Sequence, residues 1–114
     1  MNMEKYLDER GEITDILLKE IDSVSLVSFI EGAVRGNHIR KKTIQYDFVL
    51  DGELMVSTGS ETWIVTKGEL VTHKPKHPYA YKALVPSTLL CMSRGGRRGK
   101  KYPIDFYPIK KPLF

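Results

Sequence analysis

Five residues carry the chemistry this sequence can support: Arg35, His38, Arg40 and Gln45, close together in the chain, and Tyr79 further on. Histidine titrates near neutrality, which makes His38 a candidate general base. The planar fork of arginine binds phosphate bidentately or stabilises a developing oxyanion, so Arg35 and Arg40 are candidate anion binders. Tyr79 is a candidate phenolic acid or donor, and Gln45 a candidate ligand contact. Such a set suits removal of a proton next to a carbonyl, which needs a base of suitable pKa and a donor for the enolate. A histidine on a strand is as commonly a satisfied core or surface residue, and His73 and His77 are read that way.

The elements that must position these groups read as β-strands. Ser23 to Ile30 alternates small polar and apolar side chains, as a half-buried strand should. Ile44 to Leu50 and Glu53 to Ser57 are β-prone runs joined across Asp51-Gly52, a strong local signal for a type I′ hairpin. Thr58-Gly59-Ser60-Glu61 reads as the next turn, Thr62 to Thr66 as a strand, and Lys67-Gly68 as a turn into Leu70 to Thr72. Tyr79 to Leu84 and Thr88 to Met92 supply two further strands, separated by Val85-Pro86-Ser87. Asp15 to Ile21 fits a short helix or a strand about equally. Turn signals recurring this often predict an all-β antiparallel sandwich or barrel.

The glycine and histidine spacing narrows that architecture. Gly32 to Gly52 has the spacing of the first cupin motif, G-x5-H-x-H-x4-E-x6-G, with Gly32, His38 and Gly52 in register. The implied fold is a single-domain cupin, a double-stranded β-helix or jelly-roll-like antiparallel barrel over residues 1–93. In such a barrel His38, Arg40 and Gln45 are expected to face the mouth, where a small barrel has room for one ligand. Gly68, Pro75 and Pro78 match the second motif, with Tyr79 in place of its histidine. Arg40 and Gln45 replace the second histidine and the glutamate of the first motif. A protonated arginine repels a divalent ion, and catalytic metal sites usually need three protein ligands. No metal and no cofactor are therefore expected. His73 and His77 would complete a metal site only if the second motif were shifted in register.

At 114 residues, with 41% hydrophobic and 28% charged, the chain is sized and composed for one globular domain. No apolar run reaches the roughly 18 residues of a membrane span, and Met1 to Arg10 lacks the apolar stretch of a secretory signal. Cys91 is the lone cysteine, which fits a reducing cytoplasm and a buried structural thiol. The net charge of +4 is concentrated in residues 94–114, a basic C-terminal tail read as part of the same domain or loosely packed. Arg94 to Lys101, with Tyr102, Phe106 and Tyr107 nearby, has the charge and aromatics of a single-strand grip. Arg-Gly-Gly occurs there only once, and nucleic acid is not the expected partner.

Arg35-Gly-Asn-His38-Ile-Arg40-Lys41-Lys42 followed by Gln45 resembles the Arg-Gly-x-His-x-His-Lys-Lys-x-x-Gln signature of the sugar-nucleotide 3,4-ketoisomerases. Those are metal-free cupins acting on dTDP-4-keto-6-deoxyglucose. Asp8-Glu9-Arg10-Gly11 resembles the Asp-x-Arg-Gly opening shared with the dTDP-4-dehydrorhamnose 3,5-epimerases, and both elements occur in cupin domains of capsular polysaccharide enzymes. The resemblance to this RmlC-like and WxcM-like group implies His38 as the proton-abstracting base, Arg35 as a phosphate contact and Arg10 as a further ligand contact. It implies a nucleotide-sugar ligand and a homodimer. The ketoisomerases' second active-site histidine is Arg40 here. Two functions follow: a metal-independent isomerase or epimerase of a dTDP- or UDP-4-keto-deoxysugar, or a cupin that binds a sugar or other small anion without turnover.

Overall fold

The computed structural model describes residues 3–95 and 105–114. Ten strands precede the C-terminal segment: β1 (Glu4–Asp8), β2 (Gly11–Asp15), β3 (Ser23–Phe29), β4 (Val34–Ile39), β5 (Ile44–Asp51), β6 (Glu53–Ser57), β7 (Thr62–Thr66), β8 (Leu70–His73), β9 (Tyr79–Ala83) and β10 (Ser87–Arg94). A short β11 (Tyr107–Pro108) follows. All pairings are antiparallel, and no helix occurs among the described residues. β1 and β2 pair only with each other, β3-β10-β5-β8 form one sheet, and β11-β4-β9-β6-β7 form the other. The expected all-β architecture is present. Among the described residues no helix is long and apolar enough to cross a membrane.

The two larger sheets enclose a core of Phe29, Val49, Leu54, Val56, Val65, Val71, Tyr79, Tyr81, Ala83, Leu89 and Cys91. Register explains why this core turns polar at one end. Across the four-stranded sheet Val27, Leu89 and Val49 form one row, and Ser25, Cys91, Asp47 and Val71 the next. The following row is Ser23, Ser93, Gln45 and His73. Because strand side chains alternate faces, these successive inward rows carry the interior from apolar floor to polar mouth.

Two local expectations are corrected. Asp51-Gly52 is not a hairpin turn: β5 lies in the four-stranded sheet and β6 in the five-stranded one, so the pair forms a corner between sheets. Only Gly52 there has positive φ, at 95°, whereas a type I′ turn needs it at both residues. A Cβ at Gly52 would come within 2.6 Å of Ser87 Cα, so the close approach of the start of β10 also requires glycine. Beyond Asp15, the segment to Ile21 forms neither helix nor strand. The β1–β2 hairpin, which the sequence pattern does not announce, carries the exposed apolar side chains Tyr6, Leu7 and Ile13.

Candidate functional site

A cavity of about 520 Å³ opens at the polar end of the barrel, lined among others by Arg35, His38, Arg40, Gln45, Tyr79 and Phe106. Five of the six residues singled out from the sequence therefore meet in one place. The sixth, Arg10, sits at the tip of the β1–β2 hairpin, where its Nη2 (2.7 Å) and Nε (3.2 Å) both donate to one oxygen, Oδ2, of Asp8, and it does not line this cavity. The basic run from Arg94 to Lys101, with Tyr102, lies mostly outside the described residues.

Arg35 and His38 are three apart, so a regular strand would send them to opposite faces. β4 resolves this with a register shift against β9 between Gly36 and His38, where Asn37 has a φ of 57° and Gly36 one of 103°. One extra residue re-phases the strand and brings both side chains to the cavity. A Cβ on Gly36 would lie 2.7 Å from the Tyr79 carbonyl oxygen, so the close packing of β4 on β9 requires this glycine. Arg35 stays at the rim, its Nε donating to the Ser28 carbonyl (3.2 Å) and its guanidinium 5.4 Å from the Phe29 ring centroid.

His38 is buried and its Nε2 is the reactive atom. Arg40 Nε–H donates to it at 3.4 Å, and an arginine nitrogen only donates, so Nε2 carries the lone pair and Nδ1 the proton. The Tyr79 hydroxyl lies 3.1 Å from the same nitrogen. Burial, and then the Arg40 charge, lower the His38 pKa from 6.5 to about 4; the Gly36 carbonyl pulls the other way. Nδ1 makes no hydrogen bond of good geometry. His38 is thus a neutral imidazole at physiological pH with its lone pair beside a phenol and a guanidinium.

Below this pair lies a network that sequence reasoning missed. Asp47 is fully buried on β5, two residues from Gln45. Its carboxylate accepts from Gln45 Nε2 (2.8 and 3.1 Å) and from the Tyr81 hydroxyl (2.6 Å), and His73 Nε2 lies 3.4 Å away. Burial alone would raise its pKa, but the His73, Tyr81 and Cys91 hydrogen bonds outweigh that and hold it below the ordinary value. Burial first, and then the Asp47 charge, push the Tyr81 phenol well above 10, so Tyr81 remains protonated. His73 Nε2 also bonds the Tyr81 hydroxyl at 2.6 Å, and its ring stacks on Tyr79 at 3.7 Å and 11°. His73 is accordingly a satisfied buried histidine supporting Tyr79 from behind, while His77 is exposed. Gln45 lines the cavity, but its amide nitrogen is committed to Asp47. The i+2 spacing of Asp47 after Gln45 is the one local signal for it; the rest depends on register.

This donor set does not fit a divalent metal. The lone pair of His38 Nε2 is already engaged, and a guanidinium occupies the adjoining position. Among the described residues no group of three or more His, Cys, Asp or Glu side chains is arranged around a common point.

No protein-family model matches this sequence, and no curated protein does. Solved structures do. QdtA, a sugar 3,4-ketoisomerase from Thermoanaerobacterium thermosaccharolyticum in complex with TDP, matches with a TM-score of 0.70 and 17% identity over 95% of this chain and 85% of that one. NovW, a 4-keto-6-deoxy sugar epimerase from the novobiocin gene cluster of Streptomyces spheroides, matches at 0.69 and 18% over 97% and 74%. The capsular polysaccharide assembling protein CapF from Staphylococcus aureus matches at 0.65 and 17%, covering 95% of this chain and 34% of CapF. The chain thus spans about a third of the length of CapF. These likenesses establish that the chain shares the fold of QdtA and NovW.

Proposed function

We propose that this protein is a sugar-nucleotide isomerase or epimerase that works on a dTDP- or UDP-4-keto-deoxysugar by metal-independent proton transfer. The carrying observation is the neutral imidazole of His38, with Nε2 3.1 Å from the Tyr79 hydroxyl and 3.4 Å from Arg40 Nε inside the cavity. QdtA structures hold TDP and TDP-4-keto-6-deoxyglucose, which supports the same ligand class here.

The chemistry follows from those positions. His38 Nε2 takes the proton from the carbon beside the carbonyl, and the C–H electron pair moves onto the carbonyl oxygen as an enolate. Arg40 stabilises that charge, and the Tyr79 phenol supplies a proton when the enolate collapses. Delivery of the Tyr79 proton to the opposite face of the same carbon inverts it, and the proton held by His38 then resets the phenolate across their 3.1 Å contact. Delivery of the His38 proton to the former carbonyl carbon, with the Tyr79 phenol protonating the enolate oxygen and its phenolate taking the neighbouring hydroxyl proton, moves the ketone. A pKa near 4 makes free His38 a weak base. A bound diphosphate dianion raises that basicity through its field. Arg35 at the rim is placed to hold the diphosphate, and Arg10 joins the ligand only if the hairpin reaches it from another subunit. The exposed apolar residues of the hairpin and of β3 support a homodimer, and the lone buried Cys91 a reducing, cytoplasmic setting.

Incubation with dTDP-4-keto-6-deoxyglucose, followed by NMR analysis of the products, tests this. A moved ketone or an inverted centre is expected, and loss of both in Tyr79→Phe. Arg40 in place of the ketoisomerases' second histidine favours one further reading, a cupin that binds the nucleotide sugar without turnover. Thermal stabilisation by dTDP of about 2.7 kcal/mol at 100 times its Kd, with unchanged substrate, would select it.

A further inference from the structure

We propose that the C-terminal segment from Asp105 to Leu113 is a strap that positions the His38 imidazole, with Phe106 as the positioning residue and Asp105 as its anchor. Nothing in the motif spacing indicates this role.

The strap is attached at both ends of the His38 neighbourhood. Asp105 is buried, and its Oδ1 accepts the Lys41 N–H (2.8 Å) while Oδ2 accepts the Lys42 N–H (2.7 Å) and the Thr43 hydroxyl (2.9 Å). Those residues form the turn that joins β4 to β5, directly after Arg40. β11 then pairs Tyr107 with Ile39 and Pro108 with His38, so the strap covers what would otherwise be the open edge of β4. Lys41 Nζ lies over the Tyr107 ring at 4.2 Å. Past β11, the Ile109 N–H reaches the Asn37 carbonyl (3.1 Å) and the Leu113 N–H the Asn37 side-chain oxygen (2.7 Å). The residue that creates the bulge in β4 is therefore held by the strap as well.

Between these attachments Phe106 turns inward. Its ring centroid is 4.1 Å from that of His38, tilted by 38°, and it lines the cavity. Tyr79 meets the imidazole edge-on at 4.8 Å, so the ring is gripped between an aromatic from β9 and one from the strap. The charged and titratable groups facing His38 are Arg40 from the end of β4, Tyr79 from β9, His73 from β8 and Asp47 from β5. Phe106 adds no charge, and so acts only by excluding water and fixing ring orientation. Asp105 carries a charge but directs it at the turn.

The consequence for turnover rests on His38 being the base; the test does not. In the full-length protein, the His38 ring resonances are followed by NMR against pH in wild type, Phe106→Ala, Phe106→Leu and Asp105→Asn. Exposed His77 is the internal reference. His38 should titrate about one pH unit higher in Phe106→Ala and Asp105→Asn, about a tenfold gain in proton affinity, with Phe106→Leu close to wild type and His77 unmoved. Should Phe106→Ala not fold, the Asp105→Asn titration decides between the two outcomes. An unchanged His38 titration in the folded variants would overturn the proposal. Where turnover is observed, the acid limb of its pH profile should move by the same amount. If no sugar is turned over but the resonances shift, the strap stands and the enzymatic reading falls.

Discussion

His38 remains neutral because the fold disfavours its protonation, and this has a measurable effect on stability. Its folded pKa of about 4 lies below the unfolded value of 6.5, so the folded state binds fewer protons between those pH values. The stabilisation is complete above pH 6.5 and is lost as pH falls toward 4, where the loss amounts to about 3 kcal/mol. Urea unfolding at pH 7 and pH 4 should show that loss in wild type and not in His38→Gln, the difference between variants removing the background of other carboxylates. Asp47 is the other residue on which the site depends. Asp47→Ala leaves the Gln45 amide and the Tyr81 hydroxyl without their acceptor in the interior, and should cost about 3–5 kcal/mol. Asp47→Asn keeps one acceptor oxygen and should cost less by the same measurement. His38, Arg35, Arg40, Gln45 and Tyr79 could be named from spacing, because motif positions are local. Tyr81 and Phe106 could not, and Asp47 has only its place two residues after Gln45 to mark it. Asp47 and Tyr81 meet across 34 residues of chain, and Phe106 reaches His38 from the far end of it, through pairings that no local pattern records.

At the scale of elements, the bulge in β4 decides whether the site exists. Gly36→Ala drives a Cβ to 2.7 Å from the Tyr79 carbonyl oxygen and 2.9 Å from Ala80 Cα, both backbone atoms, at a φ of 103°. It should destabilise the fold by about 2–4 kcal/mol and separate β4 from β9. A melt together with loss of dTDP-induced stabilisation would check it; a variant with wild-type melting and binding would show that the bulge is dispensable. The alternation of β3 and the β-prone runs of β5 to β10 are visible in the residues. Asp51-Gly52 shows where such reading stops. The dipeptide marks a change of direction, but whether the next strand pairs with the last one or enters the opposite sheet is decided by distant partners, β8 and β10 on one side and β7 and β9 on the other. β1 and β2 escape notice because their apolar residues Tyr6, Leu7 and Ile13 are exposed and leave no burial pattern to read.

At the scale of the molecule, the extents of 52 × 29 × 26 Å describe an elongated chain, and exposed apolar side chains lie on the β1–β2 hairpin and on edge strand β3, including Leu7, Ile13, Val24 and Leu26. We propose that a second copy covers them. Sedimentation equilibrium should give a dimer for wild type and a monomer for Leu26→Glu; a wild-type monomer at micromolar concentration would contradict this. Fold class was legible from turn spacing and the glycine–histidine motif, whereas function at this scale depends on whether the cavity turns its ligand over. Solvent deuterium incorporation at carbon into dTDP-4-keto-6-deoxyglucose addresses that most directly. Exchange next to the ketone that depends on the protein and disappears in His38→Ala is expected. Exchange no faster in wild type than in His38→Ala would rule out His38 as the base.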